Sequence, residues 1–272
     1  ELLEANRPLP PELERALLRG TSIGGARPKA LIDDDGKHFI AKFVSSTDVY
    51  PVVKAEYIAM RLAALAGLNV APVSLVSSLG KDVLMIERFD RVDTPTGKAR
   101  RLMLSGLSLL ELNEMEARYA SYSDLADRAR QRFTEPQATL VELFKRLAFN
   151  VLVGNTDDHA RNHSAFWDGQ QLSLTPAYDI CPQLRTGQEA TQAMDIGSVA
   201  GKAVTLSNVL SVCGKFQLRE SDARAIIEQF IALVEDNWLA VCEEAGLATI
   251  ERERLWGRAL LNPYCLQGWE SA

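Results

Sequence analysis

The residues able to do chemistry crowd into two short stretches. The first is Gly154-Asn155-Thr156-Asp157-Asp158-His159-Ala160-Arg161-Asn162-His163, and the second is Leu174-Thr175-Pro176-Ala177-Tyr178-Asp179-Ile180. Between them Phe166-Trp167, Asp168-Gly169 and Leu172-Ser173-Leu174 read as a β-hairpin. The order Asp-x-His-x-x-Asn, hairpin, Tyr-Asp suits phosphoryl transfer. One carboxylate orients an attacking hydroxyl and accepts its proton, while an amide oxygen and a second carboxylate hold a magnesium ion on the phosphates. Magnesium takes oxygen ligands and keeps several waters, so one carboxylate and one amide from the protein suffice. Other readings stand beside this one. Asp157 and Asp158 could be solvated acids capping a helix. Together with His159 and His163 they could form the metal cluster of a hydrolase or nuclease. Asn162 could be a turn residue. The Tyr178-Asp179 partner one hairpin later favours phosphoryl transfer.

These stretches need elements to hold them. Thr134-Glu135-Pro136-Gln137 is a capping-box pattern with proline in the first turn. The helix it opens carries Val141, Phe144, Ala148 and Val151 at three- and four-residue steps and should stop at Gly154. Ser121-Tyr122-Ser123-Asp124 opens another helix, and a long one is expected over 222–245. Upstream the pattern is different. Residues 11–18 have helical spacing, and Thr21 to Gly25 form a loop. Ala30 to Ile32 and His38 to Val44 read as two strands around Asp33-Asp34-Asp35-Gly36. A helix follows over 49–66, with Val52, Glu56, Met60 and Ala63 on one face, and Gly67 stops it. Residues 72–78 and 83–89 are two more strands, and 90–101 is a polar linker. The expectation is a small β-rich lobe over 1–90 and a larger helical lobe over 91–272, with a cleft between them.

Lys42 lies in a half-buried strand, and Glu56 sits on the apolar face of the helix after it. An acid in that place needs a partner, so a Lys42–Glu56 ion pair is expected, against the plainer reading of a strand-edge lysine and a glutamate reaching solvent. The tryptophans read as packing residues. The remaining composition narrows the classes. The chain has 272 residues, 47% of them hydrophobic and 24% charged, which excludes collagen, coiled coil and disorder as the main answer. The 4 cysteines are widely spaced, with no C-x-x-C pair, and fit a reducing compartment. The net charge of −6 gives no general attraction to nucleic acid. No apolar run of about 18 residues predicts a membrane span. The first residues lack a signal peptide and a starting Met, so the chain reads as part of a longer cytoplasmic protein.

Taken together, Ser22-Ile23-Gly24-Gly25-Ala26, Glu87-Arg88-Phe89-Asp90-Arg91, Thr156-Asp157-Asp158-His159-Ala160-Arg161-Asn162 and Tyr178-Asp179-Ile180 resemble the HipA family of bacterial toxin kinases. The resemblance runs from about Thr21 to Ile196. A narrower resemblance is to the HipH or YjjJ variant, whose kinase region follows a DNA-binding segment. The family resemblance implies an α+β, two-lobed protein-kinase-like fold and serine/threonine kinase activity using ATP and Mg2+. It implies Asp157 as catalytic base, Asn162 and Asp179 as the magnesium pair, and Lys42 on the phosphates. Residues 24–29, including Gly24, Gly25 and Lys29, would contact nucleotide, and the backbone of Glu87 to Phe89 would hold adenine. His159 and Tyr178 fall in the same motifs, beside the nucleotide. Ser22 matches the serine that is autophosphorylated in the family. The partners implied are a protein substrate, such as an aminoacyl-tRNA synthetase or other translation factor, and an antitoxin. DNA would be met only through the antitoxin or a segment outside this chain. Two departures matter. Arg27-Pro28 precede Lys29 where the family often has Gln and an acid: the arginine adds charge suited to phosphate, but the proline removes a backbone donor. The family's N-terminal β-rich subdomain also has no counterpart here. A non-catalytic kinase-like binding module and a small-molecule kinase remain as rivals.

Overall fold

The computed structural model describes residues 27–34, 36–78, 80–95, 97–187, 189–197 and 200–269. The helix expected over 11–18 and the loop residues Ser22, Gly24 and Gly25 lie outside them. Four strands form an antiparallel sheet in the order β1-β2-β4-β3: β1 (Lys29–Asp34), β2 (Lys37–Phe43), β3 (Val73–Ser78) and β4 (Lys81–Glu87). Side chains alternate across a strand. Ala41 therefore packs with Phe39, Phe43, Val83 and Met85 in a small cluster on one face, while Ile40, Leu84 and Ile86 join the main core on the other. Lys42 shares that second face, and Lys29 stands opposite it in register.

Helix α1 (Val52–Leu65) covers this face. It begins three residues later than the periodicity suggests. Pro51 is its N-cap and biases Tyr50 toward extended backbone. The expected linker is instead a hairpin of β5 (Arg91–Thr94) and β6 (Gly97–Arg100). Its strands bury no face, so no apolar period marks them in the sequence.

A second sheet joins β7 (Leu102–Ser105), β8 (Ser164–Trp167) and β9 (Leu172–Leu174), the last two being the expected hairpin. Around it lie α2 (Gly106–Leu109), α3 (Tyr122–Arg132), α4 (Pro136–Val153), α5 (Leu206–Ser211), α6 (Glu220–Glu244) and α7 (Thr249–Leu255). Ser121 caps α3 by accepting the Asp124 N–H. The Thr134 capping box does not form. The N-cap of α4 is Glu135, and both the N–H and the hydroxyl of Thr134 donate to the Leu172 carbonyl, at 2.9 and 3.1 Å. Strand β9 has taken the group that would have capped the helix. Helix α4 is buried along most of its length and ends at Gly154, with φ +72°. A Cβ there would lie 2.4 Å from the Ala259 carbonyl oxygen, so the turn that launches the next loop requires glycine.

Candidate active site

Three charged side chains meet where the first sheet faces the helical part. Lys42 is buried, and its Nζ donates to Glu56 Oε1 at 2.5 Å and also to Asp179 Oδ1. Glu56 is buried as well, while Asp179 keeps about a third of its side chain in solvent (38%). Burial pushes the Asp179 carboxyl up, but the charge of Lys42, helped by Lys29 and His159, outweighs it and holds the group below the usual range. Burial pulls the Lys42 ammonium down, and the Glu56 and Asp179 charges reverse that. Lys29 is lowered, first by burial and then by the charge of Lys42. A fixed cation thus sits beside an ionised, partly open carboxylate. Asp179 has φ +62°, a left-handed backbone that is uncommon for any residue but glycine. The Asn155 amide fixes that turn by donating to the Asp179 carbonyl at 3.3 Å.

The loop after Gly154 sorts its two carboxylates. Asp157 is exposed, whereas Asp158 is buried. Asp158 accepts from the Tyr122 hydroxyl and bonds the His163 Nε2 at 2.9 Å. Burial, with the Asp158 charge beside it, drives the Tyr122 phenol well above its usual range, so it stays a donor. The Asn162 Nδ2 donates to the Asp157 carbonyl at 3.3 Å, which leaves the amide oxygen for another partner. The Asp158–His163 contact and the Asn162–Asp157 contact each span five residues, and together they close the loop on itself. The Gly106 N–H also donates to the His163 carbonyl, at 2.5 Å. The Tyr178 hydroxyl donates to the Arg161 carbonyl at 2.7 Å and contacts Ser164 Oγ at 2.5 Å. That strut joins the residue before Asn162 to the residue before Asp179. His159 is half-buried beside Asp179, and its Nδ1 is buried without a hydrogen-bond partner.

The structure therefore brings Lys29, Lys42, Glu56, His159 and Asp179 together, and ties Asp157, Asn162 and Tyr178 to them. Strand β4, beside the strand that holds Lys42, ends at Glu87, short of the expected 89. The Glu87 and Arg88 N–H groups already donate to Pro72 and His38 carbonyls, at 2.9 and 2.8 Å. The Glu87 carboxylate pairs with Lys37 at 3.0 Å. Phe89 packs its ring on Tyr178 and Phe166. Arg27 is not available for phosphate. It makes a bidentate pair with Asp48, four residues ahead of α1, at 2.7 and 2.8 Å. The hydrolase cluster is not assembled either: Asp158 and His163 are buried on each other. Among the described residues no three His, Cys, Asp or Glu side chains are grouped to hold a metal.

Sequence reasoning missed Tyr122, Asn155 and Arg146, and misread Asp158. Arg146 is buried on α4 and donates to the Thr175 and Asn69 carbonyls at 2.8 and 3.2 Å, so it sets the segment before Tyr178. One signal was available: the Asp158 and His163 pair repeats the five-residue step of Asp157 and Asn162.

Comparison with known proteins fits this geometry. The sequence profile described as HipA-like C-terminal domain matches residues 21–238. The chain belongs to the HipA-like C-terminal domain family. Among HipA-like relatives, the serine/threonine-protein kinase toxin HipA of Shewanella oneidensis is 28% identical over 183 residues, covering 58% of this chain and 42% of that protein. The toxin YjjJ of Escherichia coli is 27% identical over 191 residues, covering 65% and 41%. The chain spans about two-fifths to a half of the curated relatives it matches. The HipA of Shewanella oneidensis MR-1, solved with HipB and operator DNA, superposes with a TM-score of 0.73 at 21% identity, covering 90% of this chain and 64% of that one. The Helicobacter pylori proinflammatory kinase CtkA gives 0.65 at 16% identity, covering 92% and 94%. The fold is thus the α+β, two-lobed kinase-like fold of the HipA type. No helix of the described residues is long and apolar enough to cross a membrane.

Proposed function

We propose that this chain is an ATP- and Mg2+-dependent serine/threonine protein kinase, with a small lobe over 1–90 and a helical lobe over 91–272. The observation that carries the reading is Lys42, held between buried Glu56 and partly open Asp179. A buried ammonium with two anionic partners is fixed in place, and its position suits the phosphates of a nucleotide. Asp157 is the general base. It is exposed, its carbonyl accepts from Asn162 and its neighbour Asp158 is bonded to His163, so it is held in place to accept the proton of a seryl or threonyl hydroxyl.

The donor set fits magnesium. Asp179 is ionised and open on one side, and Asn162 presents an amide oxygen whose NH2 group is already engaged. When bound, the ion neutralises charge on the phosphate oxygens. The protein's own contribution is to hold Lys42, Asp157, Asn162 and Asp179 in one fixed frame. His159, beside Asp179, is a further residue for the nucleotide. Adenine recognition falls to the backbone of Phe89 and the carbonyls of 87–89, because the Glu87 and Arg88 N–H groups are engaged within the protein. Ser22 is the site of autophosphorylation, which would add about −1.5 to −2 charges and repel an anionic ligand. The substrate is a protein hydroxyl, with an aminoacyl-tRNA synthetase or other translation factor as the class to test. A relative was solved with its HipB partner and operator DNA, which supports an antitoxin partner that brings this chain to DNA in the cytoplasm.

The deciding experiment is Asp157→Ala. Transfer of labelled phosphate from ATP should fall about 10²–10⁴-fold, the usual contribution of a general base. Nucleotide binding by calorimetry should persist. Normal transfer by this variant refutes the assignment. Asp179→Ala should weaken Mg2+–ATP binding, and an unchanged affinity counts against the magnesium pair.

A further inference from the structure

Helix α1 belongs to the sheet in sequence but is tethered elsewhere. Lys54, Tyr57 and Arg61 follow each other at steps of three and four, so they share one face of the helix. All three reach the end of α6. The Tyr57 hydroxyl donates to Glu244 Oε1 at 2.5 Å, the Arg61 Nε donates to the same oxygen at 2.9 Å, and the Lys54 Nζ donates to the Gly246 carbonyl at 2.8 Å. The start of the helix is held by the same part of the molecule. Arg254 of α7 donates to the Val49 carbonyl at 2.8 Å, and the Tyr50 hydroxyl donates to the Pro182 carbonyl, three residues past Asp179, at 2.7 Å. Glu56 lies between Lys54 and Tyr57, and its own contact is the Lys42 ammonium. Glu244 therefore grips α1 at Tyr57 and Arg61, one turn apart. That fixes both where the helix sits along its axis and how far it is rotated, and these two quantities place the Glu56 carboxylate.

We propose that Glu244 is a positioning residue. Through Tyr57 and Arg61 it seats α1, and through Glu56 it holds Lys42 in place for phosphoryl transfer, so α1 need not swing inward to assemble the site. This rests on the ATP-dependent reading above. The Tyr57 and Arg61 donors also hold the Glu244 carboxyl below its ordinary range, so it is an ionised acceptor at neutral pH.

The test compares Glu244→Ala, Glu244→Gln and Arg61→Met with the parent chain, using two readouts. Amide hydrogen exchange over residues 52–65 should accelerate in Glu244→Ala without nucleotide present. The KM for ATP should rise about tenfold with kcat within about twofold, the pattern of a lost binding contribution. Glu244→Gln keeps an acceptor oxygen for both donors and should recover most of the parent KM, a rescue that a general loss of stability would not give. If Glu244→Ala fails to fold, Arg61→Met, which keeps the side-chain stem, must show the same exchange and KM changes in milder form. Unchanged exchange over α1 in a folded variant overturns the inference, and so does faster exchange with the parent KM. A parent chain that binds no ATP overturns the kinase reading instead, and the exchange arm still decides whether Glu244 seats α1.

Discussion

The two sides of the site are held by different forces. On the sheet side, charge holds charge: Lys42 lies between Glu56 and Asp179, and Lys29 stands beside it. On the loop side, Asp157 carries the exposed charge, and its support is a buried carboxylate bonded by a phenol and an imidazole. Under the proposed function the first arrangement is open to rearrangement by a ligand, since phosphates would compete with Asp179 for the same ammonium. The second offers a ligand nothing to exchange, because Asp158 is buried. The lesson is in the neighbours Asp157 and Asp158. Two identical side chains, adjacent in sequence, are divided into an exposed charge and a buried support by the course of the backbone.

The comparison breaks most visibly if Glu56→Ala and Asp158→Ala respond alike to nucleotide. Glu56→Ala leaves a buried ammonium with one partner, and breaking such a pair costs about 3–5 kcal/mol. Chemical denaturation should show that loss without ligand, and saturating Mg2+–ATP should return part of it. Asp158→Ala leaves the Tyr122 hydroxyl and His163 buried without their acceptor, at about 1–3 kcal/mol for each unpaired group. Saturating Mg2+–ATP should leave that deficit unchanged. Tyr122→Phe removes one donor only and should cost about 1 kcal/mol, with nucleotide affinity retained. The smallest effect belongs to Asp90, beside the segment expected to hold adenine. Burial pushes its carboxyl up, but Arg88 and then Arg91 outweigh that and hold it below the usual range. Its stabilising contribution is complete above the ordinary aspartate value, about 3.9, and is lost as pH falls through the depressed one. The stability difference between the parent and Asp90→Asn should accordingly be constant near neutral pH and vanish in acid. A difference that persists in acid would mean the charges do not matter there.

Much of the first sheet could be read from the sequence, because β1, β2 and β4 carry short apolar runs and Gly36 marks a turn at φ +77°. Helix α4 and its glycine stop were equally plain. The order and spacing of Asp157, Asn162 and Asp179 suggested the chemistry proposed for them. What stayed hidden depends on distant partners. Tyr122 meets Asp158 across 36 positions, and Tyr57 meets Glu244 across 187, and no local pattern encodes either. Thr134 looked like a cap because nothing nearby reveals that the Leu172 carbonyl will claim its hydroxyl. Arg27 looked suited to phosphate for a similar reason, since Asp48 is 21 residues away.

Gly106 has a practical consequence. A Cβ at this position would lie 2.5 Å from the Ala160 carbonyl oxygen and 3.3 Å from that of His163. The segment carrying Asp157 and Asn162 thus rests directly on bare main chain. A single methyl there would work as a shim, lifting the loop while leaving every ionisable group untouched. Position 106 is accordingly the place to seek a heat-sensitive allele, one that silences the protein on warming and restores it on cooling.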